Sequence, residues 1–439
     1  MPLSRRQLLP TTALALLAGG GALAGCSGRT VELDEGDALR MRVWSEAAAA
    51  AYEDSLAGFT AETGLRVEVE VLAWDDYWNQ LPLDVAAGSL PDVLWMNTAQ
   101  LSQIRAGDTL LELEDVVGRL EGRWVEAATD LYRDDDGLWG VPQIWEQSVL
   151  VVNEQLLEEA GADAEGLSFD PYEDSDPLRE LARALTVDEE GRHPGEDGFD
   201  AGSRTVHGFS AHPDRSAILG PFLAGLGGRW QDSRGRLSIA SAEGVASVQY
   251  LADLAAAHLA PAASETVEDP QLCRDLFVAG KLGLLQTGTY DLHVLAEKID
   301  GKFPWRIQEV VAGPEGTRPL VHAIAAVGVD PDDDDREKAI GELLRWIGGS
   351  DGQRPLAENR LGIPAHEDLR RSWEKSWESE GVDLSDLPVP EDVALPEHGD
   401  RSAIATATAL PIIAEVFLGE AEASEAVPRA QQEARDARG

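Results

Sequence analysis

Two pairs of side chains suited to binding a polar solute stand at the ends of predicted β-strands. Trp44 ends a predicted strand at residues 38–44 and Glu46 follows it, while Trp95 and Asn97 stand at the end of another, at residues 92–96. Ligands of open α/β sheets bind beyond the carboxyl ends of the strands. A sugar ring offers apolar C–H faces and a rim of hydroxyl groups, which aromatic, carboxylate and amide side chains match. These four residues therefore predict a site for a carbohydrate.

Tryptophan is frequent in the chain, with 12 Trp against 6 Tyr. Several lie near predicted strand ends, among them Trp74, Trp78 and Trp145. Packing in the hydrophobic core is the alternative role for such large side chains, and it accounts for part of them.

The elements that would position these residues alternate in type. Valines at 67, 69 and 71 alternate with glutamates and predict a half-buried strand, and helices are predicted after residue 45 and over residues 75–87. Strand–helix–strand–helix–strand at this spacing predicts an α/β fold with a mainly parallel sheet and helices on both faces.

The charge of the chain excludes several kinds of partner. It has 36 basic and 80 acidic residues, a net charge of −44. Such a surface repels nucleic acid and anionic lipid headgroups, and it favours a soluble monomer.

The first 25 residues have the pattern of a cleaved export signal. Arg5 and Arg6 precede a short apolar segment, which ends in Leu-Ala-Gly and Cys26. The paired arginines resemble a twin-arginine signal, and the four residues at 23–26 resemble a bacterial lipobox, in which the cysteine carries lipid. An uncleaved anchor helix or a plain secretory signal is the alternative. We expect an extracytoplasmic lipoprotein anchored to the cell membrane at Cys26, with residues 26–37 as a tether.

The sequence predicts neither a disulfide nor a metal site. Once Cys26 is acylated, Cys273 has no partner, and the eight histidines are scattered. The four aspartates at 332–335 lack the glycine turn and distant glutamate of a calcium loop, so we expect a solvated loop there. No cofactor is predicted.

Seven short motifs in a fixed order give the chain its resemblance to known proteins. They are VW at 43–44, AAGSLPDV at 86–93, GVP at 140–142, LEEAG at 157–161 after Asn153, GGRW at 227–230, FVAGKLG at 277–283 and GIPA at 362–365. Behind a lipoprotein signal, this set resembles the extracellular solute-binding proteins of sugar-type ABC importers.

The resemblance implies two lobes with a ligand cleft between them and closure by a hinge. The chain would cross between lobes near residues 143–147, 312–315 and 359–364. The N-lobe would comprise residues 38–144 and 314–358, and the C-lobe residues 147–311 and 360–425. The implied partners are a small carbohydrate and the permease and ATPase subunits of an importer.

The resemblance also implies site residues near the first crossing. Glu146 lies four residues after Pro142, the offset at which the family places a sugar-binding glutamate. Gln143 and Trp145 flank it and join the predicted site.

Three further candidates lie in the second half of the chain. Tyr290 stands where the family has a stacking tryptophan, Trp230 belongs to the GGRW motif, and Arg360 lies at the third crossing. At Asp214 and Arg215 the chain lacks the aromatic pair of the family, so its ligand is expected to differ.

Other functions stay open at this stage. A polyamine, peptide or anion could occupy the same fold. Glu46 and Glu146 as paired carboxylates could cleave glycosides, although the chain has no nucleophile elbow, zinc-protease motif or phosphate loop. We expect a binding protein and not an enzyme.

Overall fold

The computed structural model describes residues 38–105, 109–114, 123–384, 387–399 and 401–438 of the 439-residue chain. The predicted export signal, Cys26 and the predicted tether all lie outside the described residues, which begin at residue 38. No helix of the described part is both long enough and apolar enough to cross a membrane.

Twelve strands are described. They are β1 Leu39–Val43, β2 Val67–Val71, β3 Val93–Asn97, β4 Arg133–Asp134, β5 Gly137–Leu138, β6 Val141–Asn153, β7 Val187–Asp188, β8 Arg204–Phe209, β9 Leu282–Gly288, β10 Trp305–Gln308, β11 Val321–Gly328 and β12 Ile363–Pro364.

The described α-helices lie between and after these strands. They are α1 Glu46–Thr63, α2 Trp74–Ala87, α3 Leu101–Arg105, α4 Glu126–Thr129, α5 Glu154–Ala160, α6 Pro177–Leu185, α7 Gly220–Gly225, α8 Ala242–Ala256, α9 Ala263–Glu268, α10 Leu272–Val278, α11 Leu292–Ile299, α12 Asp334–Gly348, α13 Ser350–Glu358, α14 Arg370–Glu378, α15 Ser402–Phe417 and α16 Ala423–Arg438. A π-helix at Arg215–Leu219 runs into α7, and 3₁₀ turns occupy Thr98–Gln100, Asp130–Tyr132, Ala201–Ser203, Thr289–Asp291 and Glu367–Leu369.

The predicted α/β class is confirmed. Strand β1 pairs in parallel with both β2 and β3, as the alternation of strands and helices predicts. Ser45 caps α1 by accepting a hydrogen bond from the Ala48 amide, and Gly64 ends the helix in a left-handed conformation. The structure adds antiparallel neighbours: β11 lies between β3 and β6 and is antiparallel to both.

Strand β6 joins the two halves of the sheet. Its first part, to Gln147, pairs with β11 and β12, whereas its second part, from Ser148, pairs with β9 and β10. One 13-residue strand therefore connects a sheet with β1–β3 at one edge to a sheet with β8 and β9 at the other.

One hydrophobic cluster identifies the core of the second half. It contains buried residues from Leu150 to Val311 and again from Ala405 to Ala434. Helix α14, in contrast, packs on α13, and β12 pairs with the first part of β6. We propose that the lobes exchange at residues 147/148, that residues 359–378 belong with the first lobe, and that the second lobe extends to residue 438.

The aspartate run at 332–335 starts a helix. Asp333 accepts a hydrogen bond from the Arg336 amide as the N-cap of α12, and Asp334 and Asp335 lie in its first turn. All four side chains are exposed, as predicted for a solvated segment. Negative charge at a helix N-terminus is stabilising, so the run has a structural role.

Candidate functional site

Two adjoining cavities lie where the halves of the sheet meet. Chamber A has a volume of about 370 Å³ and is lined by Trp44, Ser45, Ala48, Trp74, Trp95, Asn97, Ile144, Trp145, Glu146, Tyr290, His322, Ala323, Ile324 and Leu361. Chamber B has a volume of about 550 Å³ and is lined by Ala47, Ala50, Ala51, Asp54, Glu146, Thr289, Tyr290, His293, Asn359, Arg360, Leu361, Gly362, Ile363, Trp373 and Trp377. Glu146, Tyr290 and Leu361 line both chambers and form the boundary between them.

Strand register explains why distant residues meet in chamber A. Ile324 of β11 is opposite Asn97 of β3, and His322 of β11 is opposite Glu146 of β6. Directly opposed residues of paired strands project to the same face of a sheet. The carboxyl end of β3 and the middle of β6 therefore supply polar groups to one cavity.

Aromatic rings form one wall of chamber A. The Trp44 ring centroid lies 5.2 Å from that of Trp74 and 5.0 Å from that of Trp95, both edge-on. Such spacings are typical of stabilising aromatic pairs. Trp74 is 49% exposed and Trp44 is partly exposed, whereas Trp95 is 1% exposed. The rings available to a ligand here are those of Trp44 and Trp74, and Trp95 supports them from behind.

A buried hydrogen-bond chain fixes that supporting layer. Trp95 donates through Nε1 to the Tyr52 hydroxyl at 3.0 Å, and this hydroxyl donates to Oε1 of Gln143 at 2.7 Å. The Gln143 amide donates in turn to the Val141 carbonyl at 3.0 Å. Gln143 is 0% exposed. Its polar atoms are used inside the protein and it lines neither chamber, so this geometry gives no support to the prediction that Gln143 contacts ligand.

Glu146 is the acidic group at the centre of the site. Burial, together with the negative charge of Asp291, raises the pKa of Glu146 to about 7. No donor among the described residues hydrogen-bonds its carboxyl group in the absence of ligand. A carboxyl group whose pKa is raised to near 7 and which lacks a hydrogen-bond partner is typical of functional sites.

His322, opposite Glu146, remains neutral. Burial and the nearby Arg215 guanidinium lower the pKa of His322 to about 4. The neutral imidazole has one donor and one acceptor nitrogen, so it suits a hydroxyl group better than a charged one.

Tyr290 lies at the boundary between the chambers and is 44% exposed. A Cβ atom at Gly288 would lie 2.0 Å from Cε1 of Tyr290, so the ring occupies space that only glycine leaves free. The following Thr289 hydroxyl accepts a hydrogen bond from the Gln147 amide at 3.2 Å, which ties this turn to β6. The ring is therefore held over the junction of the two halves.

Chamber B has a base made by the chain after the third predicted crossing. Arg360 has a left-handed backbone with φ of 58°, which costs a non-glycine residue about 1–3 kcal/mol. It donates to the Ser376 carbonyl at 3.1 Å and pairs with Glu380 at 3.0 Å. Arg360 thus lines the chamber, but most of its guanidinium is already used.

Four buried donors on residues that line the chambers have no acceptor within the part of the chain that the structure describes. They are Nε1 of Trp145, Trp373 and Trp377 and Nε of Arg360. Buried N–H groups almost always find a partner in a folded protein, and leaving one without a partner costs about 1–3 kcal/mol. Ligand or water is the expected acceptor.

The predicted site residues thus fall into three groups. The structure brings Trp44, Asn97, Glu146, Tyr290 and Arg360 to the cavity surfaces. Trp95, Trp145 and Gln143 lie behind the surface of chamber A, at 1%, 0% and 0% exposure.

Two further predicted residues lie elsewhere. Glu46 is exposed in the first turn of α1 and lines neither chamber, so it does not assemble with Glu146 as a pair of acids around one bond. Trp230 packs in the core of the second half, donates to the Thr406 hydroxyl at 3.2 Å and lines neither chamber.

Sequence reasoning missed His322, Asp54, Trp373 and Trp377, and left Trp74 among the unassigned tryptophans. The i, i+4 spacing of Trp373 and Trp377, shortly after GIPA, was a signal for an aromatic helix face at the third crossing.

Among the described residues, no group of three or more His, Cys, Asp or Glu side chains is arranged to hold a metal ion. Cys273 is buried, and burial raises the pKa of its thiol to about 12.

Comparison with known proteins places this geometry in a family. Residues 42–354 match the family described as bacterial extracellular solute-binding protein. An arabinooligosaccharide-binding protein of Halalkalibacterium halodurans is 28% identical over 127 residues, which is 28% of this chain and 28% of that protein.

Solved structures match over more of the chain. The UspC protein of M. tuberculosis is 28% identical, with a TM-score of 0.81 over 91% of this chain and 100% of that one. A cyclic α-maltosyl-1,6-maltose binding protein of Arthrobacter globiformis is 17% identical and shares the fold, with a TM-score of 0.73 over 91% and 98% of the two chains. Since the family match covers most of the sequence, the chain belongs to the bacterial extracellular solute-binding proteins.

Proposed function

We propose that the protein is the sugar receptor of an ABC importer and that it binds its ligand in chambers A and B. The observation that carries this proposal is a pair of rings, the partly exposed Trp44 and the exposed Trp74, next to the Glu146 carboxyl group, which has no donor among the described residues. The rings match the C–H faces of a sugar, and the carboxyl, amide and imidazole groups match its hydroxyl rim.

The relatives support the same ligand class. One curated relative binds an arabinooligosaccharide by its name, and a structural neighbour binds a cyclic maltose derivative by its name. Because the second protein is only 17% identical, its similarity supports the fold alone.

The receptor is proposed to close by a hinge between its lobes and to deliver ligand to a permease with its ATPase. The change of strand partners at residues 147/148, next to Glu146, supports this proposal, because a ligand in chambers A and B would lie beside it. Lipid on Cys26 would hold the receptor at the cell membrane as a monomer. Replacing Cys26 by Ser should move the protein from the membrane to the soluble fraction.

The receptor is proposed to bind sugar without cleaving it. Glu46 is exposed and lines neither chamber, which argues against it as the second acid of a glycosidase with Glu146. Incubation with the tightest-binding sugar should leave it intact, as thin-layer chromatography would show.

A thermal-shift screen followed by calorimetry tests the proposal. The panel contains maltose, maltotetraose, arabinobiose, arabinotriose, cellobiose and their monosaccharides, with spermidine and a tripeptide as competing solutes. A ligand at 100 times its dissociation constant stabilises the fold by about 2.7 kcal/mol, so binders are detected easily. We expect a sugar to bind with a micromolar constant, about −8 kcal/mol. Binding of spermidine or the peptide without any sugar would overturn the proposal.

A further inference from the structure

A cavity in the second half of the fold is lined mainly by arginines. It has a volume of about 510 Å³ and shares no lining residue with chambers A and B. This arginine pocket is lined by Arg236, Leu237, Arg401, Gln431, Ala434, Arg435 and Arg438. Four of the seven residues are basic, and no acidic residue of the described part of the chain is among them. In a chain with 36 basic and 80 acidic residues, such a local excess of positive charge needs an explanation.

Three segments of the chain supply these arginines. They are the turn between Gln231 and Leu237 with Arg236, the residues before α15 with Arg401, and the last turn of α16 with Arg435 and Arg438. Gln231 accepts a hydrogen bond from the His398 amide at 3.1 Å, which joins the first segment to the second. Gln431 of α16 accepts one from the Ala240 amide at 2.8 Å, which joins the third segment to the chain after the turn. The protein therefore positions the arginines by its own contacts, and such preorganisation favours binding.

The helix dipole explains only part of the cluster. Arg435 and Arg438 lie in the last turn of α16, where positive charge is stabilised by the carbonyl ends of the helix. They are also three residues apart on one helix face, so their charges repel each other. Arg236 and Arg401 come from outside α16 and add further positive charge to the same cavity. A bound anion would offset this repulsion.

The backbone at Arg401 is in an unfavourable conformation. Its φ is 57°, in the left-handed region that non-glycine residues rarely adopt. Arg401 is the N-cap of α15, but its side chain makes no capping hydrogen bond and donates to the Arg438 carbonyl instead. Strained residues of this kind concentrate at functional sites. Here the strained turn brings a third guanidinium group to the end of α16.

Two of the guanidinium groups keep donors for a ligand. Arg401 donates to the Arg438 carbonyl, and Arg435 donates to Oε1 of Gln432 at 3.4 Å. Neither Arg401 nor Arg435 pairs with a carboxylate within the described ranges. A guanidinium group has five N–H donors in a planar fork that matches a carboxylate or a phosphate group. The pocket can therefore bind an anion without first breaking an ion pair of these two residues.

From these observations we infer that the arginine pocket is a second ligand site, separate from the sugar cavities, and that it binds a small soluble anion with two or more phosphate or carboxylate groups. Its volume of about 510 Å³ falls in the range of small-molecule sites, roughly 300–1,000 Å³. An anionic membrane fits less well, because a chain with a net charge of −44 is repelled by it as a whole. The bound anion links the turn before Leu237 to α15 and α16, so it stabilises the second half of the fold.

Thermal unfolding and calorimetry of the full chain test the inference. The probes are pyrophosphate, citrate and inorganic phosphate, and sodium chloride at the same ionic strength is the control. Pyrophosphate or citrate should raise the unfolding temperature above the value in chloride, and its affinity should fall as salt screens the charges. Inorganic phosphate, with a single group, should bind at least tenfold more weakly. The inference is overturned if neither pyrophosphate nor citrate stabilises the protein more than chloride does, or if inorganic phosphate binds as tightly as they do.

Charge-neutralising variants test the position of the site. Arg435→Gln removes one guanidinium group from an exposed helical position and should weaken binding of the tighter probe at least tenfold. Arg429→Gln is the matched control, because Arg429 is exposed on the same helix and does not line the pocket. It should change the affinity less than twofold. An equal loss in both variants would mean that the charge acts at a distance, and it would overturn the inference.

A second variant keeps the test independent of α16. Arg401→Gln should also weaken binding of the tighter probe at least tenfold, and thermal unfolding without the probe shows whether it is folded. Wild-type affinity in either Arg435→Gln or Arg401→Gln would overturn the inference.

Vesicle sedimentation distinguishes a soluble anion from a lipid headgroup. The Cys26→Ser protein, which cannot carry lipid at that residue, is mixed with vesicles of phosphatidylglycerol or of phosphatidylcholine. We expect it to remain in solution with both. Binding to phosphatidylglycerol that Arg435→Gln abolishes would assign the pocket to the membrane and overturn the proposed soluble ligand.

Discussion

The Glu146→Gln substitution should weaken ligand binding and stabilise the empty protein at the same time. Burial and Asp291 raise the pKa of Glu146 from 4.5 to about 7. Glu146 is part of strand β6 at the meeting point of the two halves and is only partly exposed. Ionising this group in the folded protein costs free energy that the variant does not incur.

The sign and size of the stability effect follow from linkage. Because the folded protein holds this proton more tightly than the unfolded chain, its contribution to stability is fully present below about pH 4.5 and is lost as the pH rises through about 7. At about 1.4 kcal/mol per tenfold change in acidity, the upper limit is about 3 kcal/mol. Because the side chain is partly exposed, solvent reduces the expected value to about 1–2 kcal/mol.

Thermal unfolding of the ligand-free proteins measures this effect. At pH 8 the Glu146→Gln variant should be more stable than the wild type by about 1–2 kcal/mol, and at pH 4.5 the two should unfold alike. Glu46→Gln, an exposed change outside both chambers, is the control and should have little effect at either pH. A variant that is less stable than the wild type at pH 8 would refute the reasoning about Glu146.

Calorimetry of the same variants measures the binding effect. Loss of a charged hydrogen bond to a sugar hydroxyl costs about 1.5–3 kcal/mol, so affinity at pH 8 should fall about ten- to a hundredfold. Wild-type affinity should decrease from pH 8 to pH 5 as Glu146 takes up its proton, and the variant should show a flat profile. His322, with a pKa of about 4, stays neutral over this range and does not contribute. Wild-type affinity that is constant from pH 8 to pH 5 would refute a role for the Glu146 carboxylate.

Three further substitutions or treatments test the surrounding structure. Gly288→Ala should displace the Tyr290 ring, which a Cβ atom would meet at 2.0 Å, and should lower sugar affinity at least tenfold in calorimetry while the fold survives. Asp84→Ala should destabilise the protein by about 1.5–3 kcal/mol in thermal unfolding, because it removes the closer of the two carboxylates that pair with the buried Arg42 and leaves Glu70 at 3.1 Å. Native protein at pH 8 should not react with a thiol reagent at Cys273, since the thiol is buried with a pKa of about 12, whereas urea-unfolded protein should react at once.

The sequence predicts the first half of the fold well because its signals are local. Valine alternation, the Ser45 cap and the Gly64 stop predict β2 and α1, and the structure confirms them. Trp44 and Asn97 line the cavity, as expected for residues at the carboxyl ends of strands. Strand β11 pairs with both β3 and β6, which places Glu146 on the same cavity.

The sequence fails where a strand is buried on both faces. Twelve of the 13 residues of β6 are buried, so no alternation distinguishes Gln143, which is bonded inside the core, from Glu146, which lines the cavity. Only the spacing of Glu146 from Pro142, known from the family resemblance, distinguishes the two residues in the sequence.

Trp230 shows a second reason why local sequence patterns do not separate core residues from site residues. A tryptophan in a glycine-rich motif is as compatible with a core as with a ligand site, and its long-range partner Thr406 is 176 positions away. Contacts at such a separation leave no local trace. The same reason hides the role of Trp373 and Trp377, which reach chamber B only through the packing of α14 on α13.

A crystal structure of the protein with the tightest-binding sugar of the panel tests the central claim most directly. The account predicts a sugar ring against Trp44 and Trp74, with a hydroxyl group within hydrogen-bond distance of the Glu146 carboxyl group. A sugar bound instead in the separate cavity of about 620 Å³ beside Trp230, with the space around Glu146 left to solvent, would contradict it.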